Sequence, residues 1–272
     1  MNNKIIILSG DPNSINSEII FKSWKKLNIN QKNNIFLISN FELLKQQFAK
    51  LKYSVKLIKI KNINDKIITN SLKILDIPLD FDDPFKVSFN TSSIFIKKSL
   101  NLAHDLALTG DVKGIINCPI NKKLLKKKNY GITEYLAAKC NIKNSSEVML
   151  INSKNFAVLP ITTHINLKDV ARKINLKKII KKILTFNNWF KLNYKKYPRI
   201  GVLGLNPHNA ELEKSSEESK IIVPSIKKLQ KKGLKITGPL VSDTVFINEY
   251  RKYDVIVGMY HDQVLAPFKT IF

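Results

Sequence analysis

The chain alternates short apolar runs with longer amphipathic segments, and this alternation limits the possible folds more than any other feature. Segments with helical periodicity are clearest at residues 41–51, 92–109 and 176–194. Between the helical segments lie runs rich in Ile, Val and Leu that have the length of buried strands, namely residues 4–9, 34–39, 54–60, 114–118, 199–205 and 254–259. Strands that alternate with helices indicate an α/β fold with a mostly parallel sheet.

Other segments carry weaker or different signals. Residues 147–152 and 156–162 are predicted to form an antiparallel pair of strands. Residues 62–91 are rich in Asn, Asp and Pro, and we expect a long connection with short strands there. Ser215-Ser216-Glu217-Glu218 matches a capping box, which predicts a helix over residues 220–232 that ends at Gly233.

The formal net charge of +25 is of the size expected for a nucleic-acid-binding protein. Almost all of this charge comes from lysine, because Arg172, Arg199 and Arg251 are the only arginines. Arginine is the residue that makes bidentate contacts with phosphate and guanine. The lysine runs are therefore interpreted as solvated helix faces, and we expect no nucleic-acid partner. A field of this sign would still attract small anionic substrates.

Membrane and secretion signals are absent from the sequence. No apolar run reaches the roughly 18 residues that a membrane-spanning helix needs. Residues 1–9 enter a strand-like run without the basic region and the apolar stretch of a signal peptide. The two cysteines, Cys118 and Cys140, have neither metal-pair spacing nor the density of a disulfide scaffold. We therefore expect no membrane partner and a cytoplasmic location.

Three of the four histidines follow predicted strands, and the fourth, His104, lies within a predicted helix and is interpreted as structural. The three are His164 after residues 158–163, His208 after residues 199–205, and His261 after residues 255–259. Ligands of α/β sheets bind beyond the carboxyl ends of the strands. One such histidine alone is more often structural or a surface residue. Three in matching positions predict a site for one divalent metal.

The residues around these histidines, together with further blocks, form an ordered set of motifs. The histidine motifs are Thr162-Thr163-His164, Leu205-Asn206-Pro207-His208 and Met259-Tyr260-His261-Asp262-Gln263. The further blocks are Gly10-Asp11-Pro12 with Glu18, Asn117-Cys118-Pro119-Ile120-Asn121-Lys122, Gly131-Ile132-Thr133-Glu134, and Gly238-Pro239 with Ser242-Asp243-Thr244. From about Leu8 to the chain end, this set resembles the 4-hydroxythreonine-4-phosphate dehydrogenases, which are enzymes of vitamin B6 synthesis.

The resemblance implies a fold similar to isocitrate and isopropylmalate dehydrogenases. Residues 1–272 would then form a single dehydrogenase unit of two interleaved subdomains, with a mostly parallel sheet and the active site in the cleft. The resemblance also implies a homodimer with a shared active site. Each site would contain a divalent metal (Zn, Mg or Co) bound by His164, His208 and His261, and NAD or NADP as cofactor. No Gly-x-Gly-x-x-Gly follows a strand, so the cofactor prediction rests on the resemblance alone.

The family's reaction acts on a small phosphorylated substrate, 4-phosphohydroxythreonine. The resemblance implies its oxidation by NAD(P)+ and its decarboxylation to 3-amino-2-oxopropyl phosphate. Thr133 would contact the substrate, and Asp243 would take part in catalysis. Asp243 and Asp262 are each also compatible with a role as turn residues, or with orienting a ligand imidazole.

The sequence departs from the family pattern at three places. Residues 13–17 (NSINS) replace a Gly-rich opening, Ile132 replaces a histidine that contacts the substrate, and the family's last segment is expected to be absent after Phe272. Two alternative functions therefore stay open. One is a paralogous dehydrogenase of a four-carbon sugar-acid phosphate of the erythronate or threonate type. The other is a non-catalytic, truncated metal-binding remnant.

Overall fold

The computed structural model describes residues 3–65, 70–125, 131–140, 147–153 and 155–272. The chain divides into two compact units, Met1–Cys140 and Asn141–Phe272, here called unit 1 and unit 2. Each unit contains a five-stranded sheet with helices, which confirms the predicted α/β class. Within these described ranges, no helix is both long and apolar enough to cross a membrane. The expectation of one dehydrogenase unit with interleaved subdomains stays a prediction.

The sheet of unit 1 is parallel throughout and has the strand order β3-β4-β2-β1-β5. Its elements are β1 (Lys4–Leu8), α1 (Asn16–Lys26), α2 (Ile29–Asn33), β2 (Ile35–Ser39), α3 (Phe41–Lys50), β3 (Leu57–Ile60), β4 (Leu72–Asp76), α4 (Phe89–Leu108), β5 (Val112–Asn117) and α5 (Ile132–Lys139). Helices connect β1 to β2, β2 to β3 and β4 to β5, because a connection between parallel strands must cross over the sheet.

Both faces of the central strands are covered, which explains why β1 and β2 are apolar along nearly their whole length. Successive strand residues point to opposite faces. Ile6 and Leu8 pack with residues of α4, such as Phe95 and Leu100, on one face. On the other face, Leu37 packs with residues of α1 and α3.

The sheet of unit 2 has the order β6-β7-β10-β8-β9 and is parallel except for β6, which pairs with β7 in antiparallel fashion as predicted. Its elements are β6 (Ile151–Ser153), β7 (Phe156–Pro160), α6 (Val170–Lys173), α7 (Leu176–Tyr194), β8 (Ile200–Leu203), α8 (Val223–Gln230), β9 (Ile236–Leu240), α9 (Ser242–Val245), β10 (Val255–Gly258) and α10 (His261–Ile271).

Unit 2 also covers both faces of its sheet. Val255 and Val257 of β10 pack with α7 and α8 on one face, through residues such as Ile183 and Leu229. Ile256 points to the other face and packs with α10 through Val264, Leu265 and Phe268. The central strands are therefore enclosed between helices, and in α/β sheets of this kind ligands bind beyond the carboxyl ends of the strands.

One local prediction is confirmed, and two differ from the structure. The segment 62–91, of which residues 66–69 lie outside the described residues, contains the short strand β4, which lies between β3 and β2 in the sheet. No strand is predicted over Ile236–Leu240, yet these residues form β9. The helix predicted from residue 220 begins earlier, with a π-helical turn at Glu218–Ile222 that continues into α8.

Candidate active site at the strand ends of unit 2

Neighbouring strands of unit 2 end at the same edge of the sheet, and the three predicted metal ligands follow these ends. β7, β10 and β8 are adjacent and parallel, so their carboxyl ends lie side by side. His164 lies four residues after the end of β7, His208 lies five residues after the end of β8, and His261 is the first residue of α10. The predicted placement of the histidines beyond strand ends is thus confirmed.

His164 and His261 lie close together. Their ring centroids are 5.7 Å apart, with the ring planes tilted by 41°. Two imidazoles that share a tetrahedral metal at Zn–N distances of about 2.0–2.1 Å would have centroids about 5 Å apart. The pair therefore has nearly the spacing that common coordination requires.

Asp262 fixes the orientation of the His261 ring. Nδ1 of His261 lies 2.7 Å from Oδ1 of Asp262. An ionised carboxylate only accepts hydrogen bonds, so Nδ1–H donates to it and Nε2 keeps its lone pair. A carboxylate behind a histidine is the usual arrangement around metal-binding imidazoles.

His208 lies apart from this pair, in an unusual backbone segment. Residues 208–212 all have left-handed backbone angles, with φ between 47° and 58°, although none is glycine. Left-handed backbone costs non-glycine residues about 1–2 kcal/mol each. The side-chain amide of Asn209 donates to the carbonyl of Pro239 at 3.1 Å, which connects the turn to β9. Strain of this kind is concentrated at functional sites.

A cavity of about 250 Å³ lies beside His208. Its lining includes Asn206, His208, Asp243, Tyr260 and Gln263, from the loops after β8, β9 and β10. Asp243, the predicted catalytic residue, is exposed in the first turn of α9. The cavity thus brings Asp243 and one predicted metal ligand to the same place.

Glu218 supports the loop that leads to His208. One of its carboxylate oxygens accepts hydrogen bonds from the backbone amides of Leu205 and Asn206, both at 2.8 Å. The other oxygen accepts from the side-chain amide of Asn206 at 3.0 Å. Glu218 is fully buried, and burial alone would raise the pKa of its carboxyl. The hydrogen bonds from Asn206 and Leu205 outweigh burial, so this pKa lies below its ordinary value.

Two of the three predicted metal ligands are suitably placed to bind a metal ion within the described residues. His164 and His261 have suitable spacing, the contact with Asp262 leaves the lone pair of His261 on Nε2, and neutral imidazole is a preferred ligand of divalent transition metals. Among the described residues of this single chain, however, no three His, Cys, Asp or Glu side chains converge closely enough to hold a metal. The complete ligand set His164, His208 and His261 stays a prediction.

Unit 1 contains the remaining motifs. Its strands β1 and β5 are neighbours, so the turn at Gly10-Asp11-Pro12 lies against the end of β5. The amide of Asp11 donates to the carbonyl of Pro119 at 3.1 Å, and the side chain of Asn16 donates to the same carbonyl at 2.8 Å. Thr133 is exposed in the first turn of α5, and its role toward substrate stays a prediction.

The sequence interpretation missed two supporting residues. Glu218 was assigned to a capping box, but its carboxylate binds the loop after β8 instead. Gln263 was recognised only as part of a motif, without a role of its own. Their position in the sequence could have identified them, because each lies in the first turn of a helical segment next to a loop that carries one of the motifs.

The comparisons with known proteins agree with these motifs. Residues 31–272 match the family described as pyridoxal phosphate biosynthetic protein PdxA. A 4-hydroxythreonine-4-phosphate dehydrogenase from Sulfurihydrogenibium sp. (strain YO3AOP1) is 35% identical over 277 residues, which is 98% of this chain and 83% of that protein. The expected absence of the family's last segment is not confirmed by these matches.

Two further proteins broaden the comparison. A protein from Oceanobacillus iheyensis, named provisionally as a D-threonate 4-phosphate dehydrogenase, is 30% identical over 97% of this chain and 82% of its own length. The crystal structure of a 4-hydroxythreonine-4-phosphate dehydrogenase from Burkholderia phymatum superposes with a TM-score of 0.87 at 29% identity, covering 100% of this chain and 84% of that one. This similarity confirms the expected dehydrogenase-type fold.

Proposed function

Because the chain belongs to the family of the pyridoxal phosphate biosynthetic protein PdxA, we propose that it is a dehydrogenase of 4-phosphohydroxythreonine that uses NAD or NADP. The observation that carries this proposal is the position of His164, His208, His261 and Asp243, which all follow the carboxyl ends of neighbouring parallel strands. Such an edge is the place where α/β sheets bind their ligands.

In this proposal His164, His208 and His261 hold a divalent metal (Zn, Mg or Co). When bound, the metal would supply Lewis-acid chemistry, lowering the pKa of the substrate hydroxyl and stabilising negative charge on its oxygen. Asp262 keeps the ring of His261 in the tautomer whose Nε2 faces away from the carboxylate. Glu218 holds the backbone before His208 through the amides of Leu205 and Asn206.

Asp243 is the proposed acceptor of the hydroxyl proton, because it is a carboxylate on the wall of the cavity that contains His208. When bound, NAD or NADP would supply the hydride acceptor for this oxidation, and the oxidised substrate would be a 3-oxo acid. Loss of CO2 from this acid gives 3-amino-2-oxopropyl phosphate. Thr133 is proposed to bind substrate, and the lysine-rich surface would attract the anionic phosphate.

A homodimer is part of the proposal. One chain brings His164 and His261 together but does not bring a third ligand to them within the described residues. A second copy that contributes an imidazole would complete the coordination, as the resemblance implies. The site would then depend on association, and dilution below the dimer's dissociation constant would reduce turnover per chain.

A second candidate substrate is D-threonate 4-phosphate. It is favoured by the relative from Oceanobacillus iheyensis and by Ile132, which replaces a histidine of the substrate-contacting motif. An imidazole that binds a substrate polar group cannot be replaced by isoleucine without loss of that contact. The amino group of phosphohydroxythreonine and the corresponding hydroxyl of threonate phosphate are the groups between which the enzyme would have to discriminate.

Steady-state kinetics with both substrates test the proposal. The purified chain, supplied with Zn²⁺, Mg²⁺ or Co²⁺, would be assayed for NADH and NADPH formation on each compound. We expect kcat/KM to be higher for 4-phosphohydroxythreonine. A preference for D-threonate 4-phosphate would establish the second candidate, and no reduction of either cofactor with either substrate would refute a dehydrogenase of this class. The variant Ile132→His is expected to shift the ratio of the two kcat/KM values.

A further inference from the structure

The side-chain amide of Gln263 makes hydrogen bonds with three different loops of unit 2. Its Nε2 donates to the carbonyl of Gly204 at 2.7 Å and to the hydroxyl of Ser242 at 2.8 Å. Its Oε1 accepts from the backbone amide of Met259 at 2.7 Å. Both amide hydrogens and one lone pair of the oxygen are therefore used within the protein.

These contacts determine the orientation of the amide without ambiguity. The backbone amide of Met259 can only donate, and the carbonyl of Gly204 can only accept. A flipped Gln263 would place its oxygen against the Gly204 carbonyl and its NH₂ group against the Met259 amide. Both contacts would then be repulsive, so only one orientation of the side chain satisfies all three partners.

Each contacted residue is close in sequence to a member of the candidate active site. Gly204 follows β8 and precedes the loop to His208, Ser242 is adjacent to Asp243, and Met259 lies two residues before His261. The amide thus connects the loops after β8, β9 and β10. Helix α10, to which Gln263 belongs, is packed into the core through Val264, Leu265 and Phe268 and gives the amide a rigid support.

The surrounding backbone leaves little space for a change. A Cβ atom on Gly258 would lie 3.0 Å from Oε1 of Gln263 and 2.5 Å from a methyl group of Val264. A side chain at position 258 would therefore displace the first turn of α10 and, with it, the amide. Glycine at this strand end is required by the close approach of the helix to the strand.

We infer that Gln263 is a positioning residue, whose amide sets the relative positions of the three loops that carry His208, Asp243 and His261. It is not a catalytic residue, because both of its donors are already used by protein groups. The inference concerns the same site as the proposed function and rests on it only for the activity readout described below. Metal and catalytic groups require placement to a fraction of an ångström, and residues behind the ligands supply this placement.

Two variants and one control test the inference. Gln263→Glu keeps an oxygen for the amide of Met259 but replaces both donors with an oxygen that repels the carbonyl of Gly204. Gln263→Met removes all three hydrogen bonds while keeping the side-chain length. The control is Gln230→Glu, since Gln230 of α8 also donates to a backbone carbonyl, that of Ile236 at 3.0 Å, but away from the candidate site.

Amide hydrogen exchange, followed by mass spectrometry, is the primary readout because it does not depend on activity. In Gln263→Glu we expect exchange to accelerate about tenfold in segments 204–212 and 241–246, the factor that the loss of one hydrogen bond of ordinary net strength gives. The strands of unit 1 should be unchanged, and Gln230→Glu should leave both segments as in the wild type. If Gln263→Glu does not fold, Gln263→Met is to be measured in the same way.

Activity provides the second readout. If the wild type reduces NAD(P)+, both Gln263 variants should lose about 10–100-fold in kcat with a smaller change in KM, the range found for residues behind metal ligands. Inactive wild-type protein would refute the proposed function but leave the exchange result decisive for Gln263. Exchange that accelerates only around residues 257–264, with segments 204–212 and 241–246 unchanged, would overturn the inference.

Discussion

Units 1 and 2 place loops beyond the carboxyl ends of similar five-stranded sheets, yet the contents of these loops differ. In unit 1, Asn16 connects the loop after β1 to the loop after β5 through the carbonyl of Pro119. No histidine follows a strand there, since the one histidine of unit 1, His104, is buried in α4. In unit 2 the corresponding loops carry three imidazoles and Asp243, supported by Gln263 and Glu218.

The difference between the units also appears in backbone strain. Unit 1 has one non-glycine residue with positive φ in its described part, Lys52, whereas unit 2 has a continuous left-handed run at residues 208–212. The longest left-handed run in the described residues thus lies in the loop that carries one candidate ligand, His208. The residues to which the proposed function assigns metal binding are thus concentrated in unit 2.

The largest expected effect is that of removing an imidazole from unit 2. His261→Ala deletes the ring that faces His164 and is oriented by Asp262. We expect turnover to fall on the order of 10³-fold, because the loss of a ligand weakens a metal interaction worth several kcal/mol. Zinc affinity, measured by calorimetry on chelator-treated protein, should fall in parallel. The matched control is His104→Leu in unit 1, which should keep its zinc affinity. Equal losses of zinc affinity in both variants would contradict the difference between the two units.

The next effect concerns the buried carboxylate of unit 2. Glu218→Gln places an NH₂ group among the amide donors of Leu205 and Asn206, and we expect the free energy of unfolding to fall by about 2–4 kcal/mol. Glu217→Gln is the control, since Glu217 also accepts a hydrogen bond from the side chain of Asn206, at 2.9 Å. Its effect in urea unfolding should stay below about 1 kcal/mol. If Glu218→Gln loses no more free energy of unfolding than the control, Glu218 does not support the loop before His208.

The stability that the Glu218 carboxylate contributes should also depend on pH. Hydrogen bonds hold the pKa of Glu218 in the folded state below its ordinary value of 4.5. The ionised carboxylate therefore contributes stability that is fully present above about pH 4.5 and is lost as the pH falls through the lower folded-state pKa. The stability difference between wild type and Glu218→Gln should narrow as the pH is lowered from 5. A difference that stays constant down to pH 3 would contradict this assignment.

A smaller effect tests the backbone strain in unit 2, because the same substitution should change stability in opposite directions in the two units. Ala210 has φ 47°, a conformation that glycine adopts without steric cost, so Ala210→Gly should stabilise the chain by about 0.5–1 kcal/mol. The same substitution in an ordinary helix, Ala138→Gly in α5 of unit 1, should destabilise it by about 0.5–1 kcal/mol. Thermal unfolding of both variants measures the signs. Destabilisation by Ala210→Gly would show that the turn is not strained.

The smallest effect concerns the reactivity of a buried thiol in unit 1. Cys118 is buried beside the Gly10 turn, and burial raises the pKa of its thiol to about 11. At pH 8 only about 10⁻³ of this thiol is thiolate, the form that reacts with disulfide reagents. Cys140 is exposed, so one thiol should react rapidly and the second only on unfolding. Two rapidly reacting thiols would indicate that the loop opens.

Much of the fold followed from the sequence because its signals are local. The helix predicted over residues 176–194 coincides with α7, and the runs 199–205 and 254–259 contain β8 and β10. The strand β9 escaped prediction because Gly238 and Pro239 interrupt it, and proline normally argues against a strand inside a sheet. The internal position of β4 could not be predicted, since strand order depends on contacts between distant segments.

For the candidate site, the sequence predicted which residues take part but not how they are arranged in space. Histidines after strand-like runs could be recognised, but the proximity of His164 to His261 depends on the order of strands in the sheet. The left-handed run at residues 208–212 contains no glycine that would have signalled it. Glu218 and Gln263 have the residue types of ordinary helix starts, and their contacts with other loops arise only in the folded chain.

The central claim is that the strand-end loops of unit 2 form a metal-dependent dehydrogenase site. The most direct test is NAD(P)H formation on 4-phosphohydroxythreonine by the purified chain, before chelation, after chelation, and after return of a divalent metal. The account predicts turnover that is abolished by the chelator, restored by the metal, retained in His104→Leu and lowered on the order of 10³-fold in His261→Ala. Turnover that is unaffected by complete metal removal, or that survives in His261→Ala at the wild-type rate, would contradict it.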